Sequence, residues 1–204
     1  MNVKRTVHGY ARAGMAGIMI EDQLAPKRCG HVSGKTVIPL RDAIARVQAA
    51  CDARDEYEQL HGPGTGPLIV ARTDALKVHG FQAAIERCQA FQSECKCDVT
   101  FLEAPESIEQ MTEYCRTVPG YKLANMLEQG TTPILTPQQL QSIGYTMAAY
   151  PLTLLSASIR AMQLSLDRIK NSIPTDDIIS TFEATKDVVG FTQYAIEEQK
   201  YKID

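Results

Sequence analysis

From Glu21 to His31 the chain gathers two acids, two cations, a thiol and an imidazole: Glu21, Asp22, Lys27, Arg28, Cys29 and His31. Each positive charge beside a thiol favours the thiolate, so Lys27, Arg28 and a protonated His31 predict a lowered pKa for Cys29. A lone cysteine is more often buried and structural. A charged loop held open by Pro26 and Gly30, directly after an acidic strand end, reverses that expectation here. Three further polar residues follow short expected strands: Arg72 after residues 68–71, Glu103 after 99–102 and Asn125 after 122–124. Arg72 suits two-pronged capture of a carboxylate, with an ion pair to Asp74 or Glu103 as the alternative. Asn125 suits a carboxylate contact or a plain turn or cap.

Strands must carry these residues, and the pattern supplies them. Ile18, Met19 and Ile20 read as a strand buried on both faces, ending at Glu21 and Asp22. Further strands are expected over 68–71, 99–102, 122–124 and 145–149, the last closed by Tyr150-Pro151. Helices are expected over 2–13, with Val3, Val7 and Tyr10 or Ala11 on one face, and over 39–53, with Pro39 in the first turn and Ile44, Val47 and Cys51 inward. Others follow over 81–91, with Ala84, Ile85, Cys88 and Phe91 as the buried stripe, and from Ser107, a plausible N-cap, to near Pro119-Gly120. A brief helix starts after Thr136 with Pro137 in its first turn, and a long amphipathic one covers 153–169. Pro174 breaks it, Thr175 or Asp176 starts another, and 188–200 is helical. The glycines of HGPGTGP (61–67) form a surface connection rather than a nucleotide loop, because they precede a strand and lack the Lys-Ser/Thr ending.

Alternating strands and helices predict an α/β fold. Polar residues at four successive strand ends (Glu21, Arg72, Glu103, Asn125) match a (β/α)8 barrel, whose sites collect at the C-terminal ends of its strands. Only five strands are visible where a closed barrel needs eight. One domain spans 1–204, with 1–151 as the barrel portion and 152–204 as C-terminal helices.

Composition narrows the partners. A net charge of −3 gives no basic surface for nucleic acid. No apolar run reaches bilayer length, and the N-terminus lacks the apolar core of a secretory signal. Six cysteines without framework spacing predict reduced thiols in an intracellular compartment. The cytoplasm is the first expectation; an organelle stays open if the true N-terminus lies upstream. Cys95 and Cys97, one residue apart with no second pair, are poor zinc ligands.

The motifs IEDQLAPKRCGH (20–31), ARTDA (71–75), LEAP (102–105), LANMLEQGTTP (123–133) and AYPLTLLSASIRAM (149–162) resemble, in order, the isocitrate lyase/phosphoenolpyruvate mutase superfamily. The resemblance covers essentially the whole chain. It implies a (β/α)8 barrel of the phosphoenolpyruvate/pyruvate type, here strands 4 to 8, with C-terminal helices that swap between subunits of a dimer of dimers. The first three strands of the family pattern are absent, with their Ser-Gly-Gly loop and the aspartates of a magnesium site. The sequence therefore resembles a fragment: an incomplete gene model, a split product or a true truncation. The expectation is weak magnesium binding and poor turnover by the isolated chain.

The resemblance implies Cys29, His31 and Arg72 as catalytic residues. It implies Gly30, His31, Arg72, Glu103, Asn125, Thr132 and Pro133 as substrate-binding residues. Glu21 is left near magnesium (manganese as substitute), acting through bound water. Cysteine at position 29 favours the carbon–carbon lyases over the mutase branch. The short connection after His31 disfavours true isocitrate lyases. Asn125-Met126-Leu127-Glu128 with Thr132-Pro133 is most similar to the 2-alkylmalate lyase, oxaloacetate hydrolase and carboxyphosphonoenolpyruvate mutase-like group, with methylisocitrate lyases next. The activity expected is magnesium-dependent cleavage of a 2-hydroxy dicarboxylate or related 2-oxo acid through an enolate. The alternatives are a phosphonomutase, or an inactive product docked on a full-length relative.

Overall fold

The computed structural model describes residues 1–27 and 34–202. Five parallel strands among them form one sheet in sequence order: β1 (Gly17–Glu21), β2 (Leu68–Thr73), β3 (Val99–Leu102), β4 (Tyr121–Asn125) and β5 (Met147–Ala149). Gly17 pairs with Leu68 and Glu21 with Arg72; Thr73 pairs with Leu102, and Asn125 with Ala149. The sheet curls as half of a barrel. Because every strand runs the same way, Glu21, Arg72, Glu103 and Asn125 all leave at one edge.

Helices cover the outside. They are α1 (Asn2–Arg12), α2 (Leu40–His61), α3 (Leu76–His79), α4 (Phe81–Ser93), α5 (Ile108–Thr117) and α6 (Pro137–Ile143). Local chemistry sets their ends. Ser107 caps α5 by accepting from the Gln110 amide, and Thr136 and Gln139 form a reciprocal capping box on α6. Pro137 sits in the first turn of α6, where its missing N–H leaves nothing unpaired. Gly144 ends α6 at φ 108°, and a Cβ there would stand 3.2 Å from Cys115 Cβ, so this stop needs glycine.

Two buried clusters hold the sheet. Val7, Val47, Ala50, Cys51, Ile69, Ala71 and Phe91 pack α1, α2 and α4 against β2. Leu102, Met111, Tyr114, Ala124, Met126 and Leu140 pack α5 and α6 around the next strands. All four predicted stripe residues of α4 are buried. Each large apolar side chain in these clusters contributes about 1.5–3 kcal/mol.

Several expectations need correction. β1 is not buried on both faces: Ile18 and Ile20 pack against the helical cluster, while Met19 points to the opposite face and is 43 % exposed. Tyr10 faces out and Ala11 in. α2 continues through 54–61, where straight-chain residues keep helical geometry up to Gly62. α3 was not expected, and β5 starts two residues late.

Residues 153–204 make a second compact unit. It contains α7 (Thr153–Lys170), α8 (Phe182–Val188) and α9 (Phe191–Gln199). None of these helices buries a residue. The helix expected from Thr175 or Asp176 begins instead at Phe182, where Thr181 accepts from the Ala184 amide and caps it. No helix among the described residues is long and apolar enough to cross a membrane.

Candidate active site

The exits of β1, β2 and β3 converge on Arg72. Its Nε donates to Asp74 Oδ2 (2.8 Å) and its Nη2 to Asp74 Oδ1 (3.0 Å). Glu21 Oε2 lies 3.5 Å from Nε, and Glu103 Oε1 lies 3.6 Å from Nη2. The guanidinium carbon stands 5.2 Å from the centre of the Phe101 ring, a face that favours a cation. Burial alone would lower the Arg72 pKa. The hydrogen bond to Asp74 and the charges of Glu103, Asp74 and Glu21 outweigh it and raise the value.

The two-pronged contact expected for a substrate is therefore spent on Asp74, the pair foreseen as the alternative. On the end-on edge of the guanidinium, Nη2 is thus shared between Asp74 and Glu103, and Nη1 has no partner among the described residues. Asp74 is buried and also accepts from Lys35 Nζ at 3.1 Å. Its burial would raise its pKa, but Arg72 and Lys35 hold the carboxyl below the usual aspartate range. Lys27 Nζ stands 3.4 Å from Glu21 Oε2, so two cations lean on that carboxylate.

Behind this layer sits Asp22, 1 % exposed. It accepts from the Thr73 hydroxyl (2.6 Å), the Asp74 amide (2.9 Å) and Arg87 Nη1 (3.0 Å). The other branch of Arg87 donates to the Ile38 carbonyl (2.9 Å). Arg46 Nη1 on α2 donates to the carbonyls of Glu21 (2.8 Å) and Gln23 (3.0 Å), on either side of Asp22. Two arginines from outer helices thus hold the exit of β1.

The structure brings together three of the expected residues: Glu21, Arg72 and Glu103. Asn125 closes β4, two strands from Arg72 on the same edge; it is half-buried, as is Pro133, while Thr132 is buried. Cys29, Gly30 and His31 lie outside the described residues. Sequence reasoning did not single out Lys35, Thr73 or Arg87 for the site, gave Asp74 only as an alternative partner of Arg72, and passed over Asp22 as a strand-end acid. One signal was available: Arg87 interrupts the apolar stripe Ala84, Cys88, Phe91 at helical spacing, and a charge facing a core needs a buried partner.

No three His, Cys, Asp or Glu side chains gather as a metal group among the described residues. Asp22 is fully engaged by its three donors. Glu21, 20 % exposed at its side chain, fits a carboxylate that reaches a metal through water; it does not make a metal site alone.

The family described as phosphoenolpyruvate phosphomutase matches residues 1–170. The chain is 35 % identical over 204 residues to the 2,3-dimethylmalate lyase of Eubacterium barkeri, covering 98 % of this chain and 68 % of that one. It is 39 % identical over 197 residues to a 2-methylisocitrate lyase of Aeropyrum pernix, covering 95 % and 60 %. Among solved structures, oxaloacetate acetylhydrolase bound to the inhibitor 3,3-difluorooxalacetate superposes with a TM-score of 0.85 at 32 % identity, covering 97 % of this chain and 65 % of that one. The chain spans about two thirds or less of these relatives' lengths. With its half-barrel sheet and its acids and arginine gathered at one strand edge, the chain belongs to the phosphoenolpyruvate mutase/isocitrate lyase superfamily, a family of lyases and mutases.

Proposed function

We propose that the strand-end cluster binds a small 2-hydroxy dicarboxylate or 2-oxo acid and supports carbon–carbon cleavage through an enolate. The candidates are a 2-alkylmalate, methylisocitrate or oxaloacetate. The observation that carries this reading is Arg72, a half-buried cation fixed by Asp74 with Nη1 on its end-on edge left over. Such an edge suits one carboxylate or enolate oxygen pair, and its rigidity means little reorganisation as charge develops. Glu103, 2 % exposed beside Nη2, orients that edge. Asn125, Thr132 and Pro133 are proposed to receive the far carboxylate.

A magnesium or manganese ion would supply positive charge at the enolate oxygen, with Glu21 as the described residue to hold it through water. Cys29 is proposed to exchange a proton with the carbon of the leaving fragment, and His31 to assist it. A single metal-facing carboxylate among the described residues supports slow turnover by this chain alone. The partner implied is a second copy or a longer relative.

The test is product analysis with magnesium and each candidate acid. The expected result is slow release of a 2-oxo acid or cleaved carboxylate, abolished by chelation and reduced about 100-fold or more in Cys29→Ala. The family matched to residues 1–170 includes phosphomutases by name, which keeps a mutase reading in view. Phosphonate rearrangement, with Cys29→Ala fully active, would favour it. Association with a relative and no chemistry of either kind would favour the docked, inactive reading.

A further inference from the structure

Arg72 is held by Asp74, and the question is what holds Asp74. Its carboxylate receives two cations, Arg72 from β2 and Lys35 from the chain returning to α2. Its backbone is fixed separately, because the Asp74 amide donates to Asp22 Oδ1 at 2.9 Å. The residue before it, Thr73, donates its hydroxyl to Asp22 Oδ2 at 2.6 Å and accepts from the Ala75 amide at 3.1 Å. Asp22 therefore grips both residues that follow Arg72. The side chains of Asp22, Lys35, Thr73 and Asp74 are all buried, and that of Arg72 is 12 % exposed.

Asp22 is positioned in turn. Arg87 reaches in from the outer helix α4, with one branch 3.0 Å from Asp22 Oδ2 and the other 2.9 Å from the Ile38 carbonyl. The Ile38 amide donates back to the Asp22 carbonyl at 2.9 Å, and the Leu24 amide donates to the Thr36 carbonyl at 2.9 Å. These bonds close the base of the segment that leaves β1 and returns to α2. A buried aspartate with three donors and a two-branched buried arginine form a small network, the kind that fixes one geometry. Truncating one member leaves a buried charge unmatched.

We infer that Asp22, Thr73 and Arg87 are positioning residues for Arg72: the relay from α4 through Asp22 to the Thr73-Asp74 backbone sets the direction of the guanidinium. None of them touches the proposed substrate. The inference rests on the function proposed above only where Arg72 is taken to meet the ligand. Its structural half stands on Arg72 alone.

The test uses the full chain and two probes. Oxalate with magnesium reports on ligand capture, since its adjacent oxygens imitate an enolate of a 2-oxo acid. Phenylglyoxal, with mass mapping, reports how firmly Arg72 is held, with or without a ligand. Thr73→Val removes the hydroxyl while keeping the shape; Thr73→Ser restores it. Arg87→Lys keeps one charge but loses the second branch. The expected result is a 5- to 20-fold loss of oxalate affinity and several-fold faster Arg72 labelling in Thr73→Val and Arg87→Lys, with both readouts near parent values in Thr73→Ser. Should Arg87→Lys fail to fold, the Thr73 pair decides. Parent-like labelling of Arg72 in folded Thr73→Val overturns the inference. Failure of the parent to bind oxalate contradicts the proposed function instead, and the labelling comparison still decides the relay.

Discussion

At the scale of single residues, the site is a contest for charge. Asp74 lies between two cations, and its carboxyl titrates below the ordinary aspartate range because Arg72 and Lys35 outweigh the cost of burial. A carboxyl depressed in the folded state stabilises the protein above its unfolded pKa and loses that contribution as pH falls through the lower, folded value. Asp74→Asn should therefore cost about 3 kcal/mol at pH 7. The difference from the parent should shrink as the pH drops below about 4. Urea melts of both proteins across that range check it, and a constant difference would contradict the pairing. The thiols form a second contest. Burial pushes Cys51 and Cys97 up to about 12 and Cys95 and Cys115 up to about 11, and raises Cys88 as well. Cys29, flanked by Lys27, Arg28 and His31, should react first with iodoacetamide near neutral pH. First labelling at Cys88 or Cys115 would remove Cys29 from the proposed chemistry.

At the scale of elements, what the chain announces locally is what it builds. Short apolar runs ending in polar residues became β1 to β4, and Ser107 and Thr136 cap the helices they precede. Thr136→Ala should lower stability by about 1 kcal/mol through the lost cap, measured by thermal unfolding. Phe91→Ala, at 0 % exposure, should cost about 3–5 kcal/mol. Contacts between distant segments were less legible. Glu21, Arg72 and Glu103 could be listed as strand-end residues, because strand ends read from short-range pattern. That Arg72 would give its two-pronged face to Asp74 depends on a rotamer, and local pattern does not encode one. Asp22 meets Arg87 across 65 positions of sequence, and only the packing of α4 on the sheet brings them together. Met19 misled for a related reason. An apolar run reads as doubly buried whether or not anything packs on its second face.

At the scale of the whole molecule, the apolar surface is uneven. Leu154 is 80 % exposed, Leu166 and Ile169 each 66 %, and Phe182 78 % in the second unit. β1 and β5 each have a strand on one side only among the described residues, and unpaired edges recruit partners. The chain is therefore expected to associate, with itself or with a longer relative, as proposed above. Sedimentation velocity at low micromolar concentration should show no persistent monomer, and Leu154→Glu with Phe182→Glu should shift the distribution toward smaller species. A single monomeric boundary with cooperative unfolding would contradict this.

The central claim is that Arg72 meets a carboxylate or enolate at the strand edge. Calorimetric titration of oxalate in the presence of magnesium, with the parent and with Arg72→Ala, tests it most directly. The account predicts measurable binding by the parent and a loss of about 2–3 kcal/mol or more in Arg72→Ala, the scale of a charge-assisted contact. Equal affinity in the two proteins would contradict it.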